Sequence, residues 1–242
     1  MRIGDAFRAN QPSNRAQPYS RRRVASMTRL PVHFLRLHRA GRALVLVLLA
    51  LLVAVPQASA DTWVIDKENS SIRFTWDHLG LSRQSGQFLD FDARLEFSPT
   101  DPEGGMVEVV IKAASLSTGV KEYDANLKSE SFFDVDRYPI ITFRSTWVRR
   151  TGERTGEVDG ELTIMGVSKP VTLKVIWNYT GEHPFAPINP TYKGKWVSGF
   201  SASAKVKRSE WGLTRALPLI SDDIWIQIEA EFLLKERLSL GN

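Results

Sequence analysis

Apolar and polar residues alternate along most of the chain after residue 60, and the alternation is clearest in the segment 160–177. Leu162 and Ile164 are separated by a polar residue, the segment 166–170 interrupts the pattern, and the alternation resumes at Val171. A period of two on both sides of a turn rich in Gly, Ser and Pro predicts an antiparallel hairpin with one apolar face. Because two strands are only marginally stable, further strands must cover that face.

The same period recurs in other segments and predicts the remaining strands, at 62–66, 72–76, 86–97, 107–116, 139–147, 197–207 and 224–232. In one of them the alternation places Trp147 on the same face as Phe143. Between 118 and 136 the pattern changes, and Tyr123 and Leu127, four residues apart, predict one short helix.

Eight or nine antiparallel strands without a βαβ repeat predict an all-β fold, either a barrel or a sandwich. Alternation alone does not separate these two architectures. A barrel is favoured because each strand has a single apolar face, and because this number of strands suits a barrel that holds one small ligand.

Residues 1–60 have a different character from the rest of the chain. Several arginines precede an uninterrupted apolar run of 13 residues at 43–55, and Ala58-Ser59-Ala60 follows it. This order is typical of a secretory signal peptide cleaved after Ala60. A membrane anchor is the alternative, but the run is shorter than the roughly 20 residues that a spanning helix needs. The predicted organisation is therefore a leader at 1–60, whose true start we hypothesise to be Met27, a β-barrel domain at 61–236 and a polar tail at 237–242.

The leader also determines the charge of the chain. The whole sequence has a formal net charge of +5, but ten of its 32 basic residues and one of its 27 acidic residues lie in 1–60. The remainder has 22 basic and 26 acidic residues, a net charge of −4, and no basic stripe. Nucleic acid is therefore not an expected partner.

The residue types that catalysis and metal binding need are scarce. The chain has no cysteine, and the part after residue 60 has two histidines, His78 and His183, without a metal-ligand spacing. No G-x-S-x-G, P-loop or G-x-G-x-x-G motif occurs. Neither a catalytic residue, a metal site nor a cofactor is predicted. Arg208, next to Ser209 and near Glu210, is expected to form a weak surface ion pair.

Four segments of the sequence resemble the YceI-like family of polyisoprenoid-binding, lipocalin-like periplasmic proteins. They are His78-Leu79-Gly80-Leu81-Ser82 with Gly86-x-Phe88; 124–133 with Tyr138-Pro139 and Phe143-x-Ser145; 160–164 through 166–171; and Gly199-Phe200 with Arg208-x-x-Trp211-Gly212. The resemblance covers about 61–235. It implies an elongated eight-stranded antiparallel barrel in the periplasm, whose apolar lumen holds a polyprenyl or quinone-like lipid. It also leaves open a homodimer, because related barrels often pair.

This chain departs from the family pattern in the helical segment. Many relatives carry Arg-Asp-x-His-Leu there, whereas this sequence has Tyr123-Asp124-Ala125-Asn126-Leu127. A basic group and an imidazole are both replaced, so the resemblance does not imply an anionic head group here.

Given the resemblance, the inward apolar residues are candidates for the lipid-binding lumen, because each methylene taken out of water gains about 0.8 kcal/mol. The alternative is that they pack against one another as an ordinary core. The candidates are Phe74, Trp76, Phe88, Phe91, Leu95, Phe143, Leu162, Ile164, Leu173, Phe200, Trp211, Ile226 and Ile228.

Three polar residues are candidates for contact with a lipid head group: His78, Asp124 and Asn126. His78 precedes a glycine at a predicted bend, where it could equally stabilise the bend. Asp and Asn side chains also tie turns, and this role is favoured for Asp124 and Asn126.

The predicted function is that of a periplasmic carrier of an isoprenoid-type amphiphile, without stable insertion into the membrane. Two alternatives stay open. One is an enzyme that acts on an isoprenoid-like substrate, which would need a polar lumen residue with a shifted pKa. The other is an outer-membrane barrel with its apolar face outward, which the absence of an aromatic terminal strand in 237–242 disfavours.

Overall fold

The structure, a computed structural model, describes residues 60–236, and the predicted leader before residue 60 and the tail at 237–242 lie outside this range. One α-helix, α1 (Lys121–Lys128), occurs in the described part of the chain. The strands are β1 (Asp61–Ile65), β2 (Ser71–His78), β3 (Ser82–Phe88), β4 (Phe91–Ser98), β5 (Asp101–Lys112), β6 (Leu116–Ser117), β7 (Ile140–Arg150), β8 (Thr155–Ile164), β9 (Val167–Glu182), β10 (Trp196–Lys207) and β11 (Ile220–Glu236).

These strands form one closed antiparallel sheet, since β1 pairs with both β4 and β11, as in the pair Val64 and Leu233. Three positions of the sheet are each built from two consecutive segments. The first consists of β1 and β2, which both pair with β11. The second consists of β3 and β4, where β4 pairs with β1 and β3 pairs with β2. The third consists of β5 and β6, where β5 pairs with β4 and β6 pairs with β3. The eleven segments therefore form an eight-stranded barrel, which confirms the predicted fold class.

The barrel has two different ends. At the helical end lie α1, the β2–β3 and β8–β9 turns, and a short 3-10 helix at Arg208–Trp211. At the opposite, hairpin end lie the β4–β5 and β7–β8 connections and the long β9–β10 loop. Among the described residues, no helix combines the length and the apolar content needed to cross a membrane.

Strand alternation places the apolar residues inside, because paired residues on neighbouring strands share a face. One buried cluster occupies the middle and the helical end, and includes Phe88, Leu116 and Trp211. A second lies at the hairpin end around Trp63 and Phe97. There the Phe97 ring meets Trp177 and Phe200, each at 5.3 Å between ring centroids. Trp177 lies on β9 and Phe200 on β10, across the barrel from Phe97 on β4, so these contacts cross its interior.

Strand β7 differs from the prediction at its second half. The register with β8 shifts between Ser145 and Trp147, which is a β-bulge. The bulge turns Trp147 outward, where 66% of its surface is exposed. The prediction that Trp147 shares the face of Phe143 is therefore wrong, because one extra residue reverses the alternation. Beyond the bulge Val148 pairs with Val158, so the inner face continues one residue later than predicted.

Candidate ligand-binding cavity

A cavity of about 550 Å³ runs through the interior of the barrel. Its wall is almost entirely apolar, and all thirteen side chains predicted to form a lumen line it. A volume of this size lies within the range typical of small-molecule sites. The sequence therefore predicted the position of these residues, whereas their contact with a ligand stays a prediction.

The inward side chains do not fill the middle of the barrel. Several of them are only half-buried although they point inward, because their free surface faces the cavity. The half-buried members of the predicted set are Phe74, Ile164, Leu173, Phe200, Ile226 and Ile228. Small inward residues on neighbouring strands, Ala202 on β10 and Ala230 on β11, leave additional room. The arrangement is thus a lined cavity and not a packed core.

The 3-10 helix Arg208–Trp211 covers part of the helical end. Trp211 is buried, and its indole Nε1 donates to the carbonyl oxygen of Leu162 at 3.0 Å. Arg208 is also buried, and its guanidinium donates to the carbonyl oxygens of Ser221 (2.9 Å), Ile220 (3.0 Å) and Leu213 (2.5 Å). The expected surface ion pair of Arg208 is therefore wrong.

Burial of Arg208 disfavours the charged form of its side chain. Burial lowers the pKa of the Arg208 guanidinium below its ordinary value, and the nearby carboxylate of Asp222 opposes this shift only in part. Three carbonyl acceptors stabilise the buried cation by replacing the water that it has lost. Arg208 thereby ties the start of β11 to the 3-10 helix that covers the cavity.

The three head-group candidates have different positions. The His78 side chain lines the cavity at the helical end and has no hydrogen bond with the other described residues. Asn126 of α1 also lines it, with an exposed side chain. Asp124 is not part of the wall. Its carboxylate accepts hydrogen bonds from Thr118 N (2.6 Å), Thr118 Oγ1 (2.7 Å) and Ser117 Oγ (3.2 Å). This is the turn-tying role favoured for Asp124.

The environment of Asp124 supports that role. Partial burial raises the pKa of its carboxyl group, but the hydrogen bonds from Thr118 and Ser117, together with the charge of Lys128, more than offset this and hold the pKa below its ordinary value. A carboxylate with these partners is kept ionised by the fold and stabilises the turn before α1.

Sequence analysis missed an interruption of the backbone pairing in the wall near the hairpin end. The backbone pairing of β5 with β7 runs from Lys112 to Glu108 on β5 and stops there. Towards the hairpin end two side chains bridge the strands: Ser145 Oγ accepts from Val107 N, and Glu103 Oε1 accepts from Arg150 N, both at 2.9 Å. We name this gap the β5–β7 seam. Residues on both of its sides line the cavity, including Gly105, Met106, Val148 and Arg150.

Groups with a displaced pKa are distributed unevenly around the cavity, and Arg208, whose pKa is lowered, belongs to its lining. The carboxyl groups with a displaced pKa, those of Asp90, Asp124, Asp222 and Asp223, are absent from the cavity lining. Within residues 60–236, no three His, Asp or Glu side chains come close enough together to hold a metal ion. What the wall offers a ligand is apolar surface, with a few polar groups at its ends.

A closed antiparallel barrel around an apolar cavity defines a class of small β proteins that enclose a ligand. The sequence model of the YceI-like domain matches residues 63–232, and the chain therefore belongs to the YceI-like family.

Individual relatives agree with this assignment. A UPF0312 protein from Pseudomonas savastanoi pv. phaseolicola is 36% identical over 164 residues, which is 67% of this chain and 81% of the relative. The crystal structure of the Campylobacter jejuni YCEI protein superposes with a TM-score of 0.56 at 32% identity, covering 66% of this chain and 90% of that one. A polyisoprenoid binding domain from Saccharophagus degradans has a TM-score of 0.52 at 12% identity over 71% of this chain and 98% of its own, and shows the shared fold alone.

Proposed function

We propose that the protein binds one long-chain amphiphilic lipid of the isoprenoid type in its cavity and carries it through the periplasm without changing it chemically. The observation that carries the proposal is the apolar cavity of about 550 Å³, with inward side chains that remain half-buried. The polyisoprenoid binding domain from Saccharophagus degradans, which shares the fold, supports the choice of lipid.

The energetics favour an apolar chain as the ligand. Each methylene transferred from water to the cavity gains about 0.8 kcal/mol, so a long chain binds through many small contributions. A wall of this kind offers few hydrogen bonds, so it selects for the length and shape of the chain and leaves the choice of head group to the openings. Arg208 lines the cavity with a lowered pKa, but its guanidinium is held by three carbonyl oxygens, and the carboxyl groups with a displaced pKa lie outside the lining, which supports binding rather than catalysis.

Two further parts of the proposal rest on the sequence. The periplasmic location follows from the signal-peptide pattern that ends at Ala60, and the homodimer from the family resemblance. Light scattering on the purified protein tests the dimer.

One preparation tests both the ligand and the location. The full chain is expressed in a Gram-negative host, released by osmotic shock, purified without detergent and extracted with organic solvent for mass spectrometry. We expect the mature chain, starting at Asp61, in the soluble shock fraction with an isoprenoid-type lipid in the extract. Protein that stays with the membrane contradicts the periplasmic carrier, and an extract without any lipid contradicts the ligand.

A further inference from the structure

The rim of the cavity at the β5–β7 seam carries a positively charged side chain on an inner-face position. Because of the bulge in β7, Arg150 pairs with Gly156 and continues the inner face of Val148 and Val158. Gly156 has no side chain to cover it. Arg150 therefore lies at the point where the apolar wall meets solvent, and it belongs to the cavity lining together with Arg154 from the β7–β8 turn.

The other charged groups of this hairpin leave Arg150 and Arg154 available. Arg149 is also part of the cavity lining, but its guanidinium forms an ion pair with Glu157 on the neighbouring strand. The Arg150 side chain donates to the carbonyl oxygen of Glu153 (3.2 Å), and Arg154 donates to the carbonyl oxygen of Asn178 (2.8 Å).

Two carboxylates lie close to these arginines. Glu103 accepts a hydrogen bond from the backbone N–H of Arg150, and Glu153 lines the cavity rim. Neither forms an ion pair with Arg150 or Arg154 among the described residues. Each guanidinium has five N–H donors, of which one is used in a hydrogen bond to a protein group here.

We propose that Arg150 and Arg154 form a subsite for the acidic head group of the bound lipid, a carboxylate or a phosphate, at the hairpin end of the cavity. This subsite lies at the opposite end of the barrel from His78 and Asn126. Guanidinium groups bind both oxyanions with paired N–H donors, and the apolar tail extends from the rim into the cavity. The inference rests on the proposed lipid-binding function and adds the class of head group and its location.

Matched amphiphiles test the subsite. Palmitate, hexadecyl phosphate and hexadecanol share one tail and differ in the head group, and each competes with a fluorescent apolar probe bound to the delipidated full-length protein. We expect the two acids to bind about five- to tenfold more tightly than the alcohol at low salt, and high salt to reduce the difference. The ranking of the two acids identifies which oxyanion is preferred.

The double variant Arg150→Gln with Arg154→Gln should abolish the preference for acids, so that the affinity for palmitate and hexadecyl phosphate falls about five- to tenfold further than the affinity for hexadecanol. Arg144→Gln is the matched control, since Arg144 lies on the outer face of the same strand and pairs with Glu108 at 3.3 Å. This control should retain the preference. Glu153→Gln removes the acidic group at the rim and should strengthen the binding of both acids, which gives a test that does not depend on loss of binding.

The outcomes separate the inference from the function on which it rests. If no amphiphile displaces the probe, the proposed lipid-binding function fails. If all three bind without a preference for acids, or if the double variant keeps the preference, the Arg150–Arg154 subsite is refuted while lipid binding stands. A preference that disappears in His78→Ala and persists in the double variant also refutes it, and places the head group at the helical end.

Discussion

At the scale of single residues, the polar groups near α1 show how one side chain is reserved for structure while its neighbours remain available for a ligand. Asp124 accepts three hydrogen bonds from Ser117 and Thr118, so its oxygens are occupied. Asn126, two residues further on, lines the cavity, and so does His78 from β2. The fold thus separates a turn-tying carboxylate from two polar groups that face the cavity.

Asp124 should make the stability of the protein depend on pH. The pKa of its carboxyl group is lower in the folded than in the unfolded chain, so its contribution is present above the unfolded pKa of about 3.9 and is lost as pH falls through the folded pKa. The Asp124→Asn variant should have a lower free energy of unfolding than the wild type at pH 7. On acidification to about pH 3, its free energy of unfolding should fall less than that of the wild type. Urea unfolding midpoints across this pH range measure both effects.

Glu130→Gln is the control for the loss of one negative charge, because Glu130 is exposed and close in the sequence. It should unfold with the pH profile of the wild type. An Asp124→Asn protein with the wild-type profile would show that its hydrogen bonds are not what stabilises this turn.

Residue positions could be predicted to the extent that they depend on alternation. The thirteen cavity residues were predictable because an inward position in a strand with one apolar face needs no further information. Arg208 was not, because an arginine among polar neighbours is usually exposed. Its burial depends on the carbonyl groups of Leu213, Ile220 and Ser221, which come together around Arg208 only because the chain reverses direction between the 3-10 helix and β11.

At the scale of elements, the 3-10 helix Arg208–Trp211 and the start of β11 are held together by hydrogen bonds to backbone carbonyls. Arg208→Met keeps much of the aliphatic volume and removes the donors, so three carbonyl oxygens lose a partner in a buried setting. We expect a loss of about 3 kcal/mol or more in the free energy of unfolding, measured by urea denaturation.

Lys207→Met provides the matched control on the neighbouring residue. Lys207 is exposed, and its contacts with Asp222 (4.0 Å) and Asp223 (3.6 Å) are surface ion pairs that contribute little. Its unfolding free energy should stay within about 0.5 kcal/mol of the wild type. Equal effects of the two substitutions would contradict the buried role of Arg208.

The bulge in β7 explains why this element was predicted only in its first half. Trp147 is apolar, so the sequence fits an inward position as well as the exposed position that it has. The contact beside the bulge is distant in sequence: Ser145 Oγ accepts a hydrogen bond from Val107 N, where the backbone pairing of β5 with β7 has ended. The number of barrel strands was predicted as eight or nine, and the structure has eight. The sequence did not predict that three of these strands are each divided into two segments, because that depends on short interruptions such as Leu89 and Asp90 between β3 and β4.

At the scale of the whole molecule, the same pattern of inward apolar residues is compatible with a filled core or with a cavity. Which of the two forms depends on the circumference of the barrel and on small residues such as Ala202 and Ala230, which leave the middle unoccupied. Aromatic contacts around Phe97 fill the hairpin end only in part. The cavity lining at this end includes residues on both sides of the β5–β7 seam, where the ladder between the two strands has ended.

Two substitutions on β9 test whether the cavity is where the lipid lies. Leu173 lines the cavity, whereas Ile176, three residues further on, is 50% exposed on the outer face. Leu173→Arg places a charge among apolar side chains and should abolish lipid retention, because a charge there is unpaired and displaces the chain. Ile176→Arg should retain both the lipid and the thermal midpoint, since the added charge faces water. Lipid per protein from mass spectrometry and the thermal midpoint give the comparison.

A charge inside the barrel can also unfold it, and a third variant distinguishes this from loss of the ligand alone. Ala202→Phe adds apolar volume at the cavity wall without a charge, so it occupies space that the lipid would use while the fold is kept. We expect this variant to melt near the wild-type temperature and to retain less lipid. Ala202→Phe obstructs the cavity and Leu173→Arg places a charge in it. If both variants are folded and carry as much lipid as Ile176→Arg, the lipid binds outside the barrel.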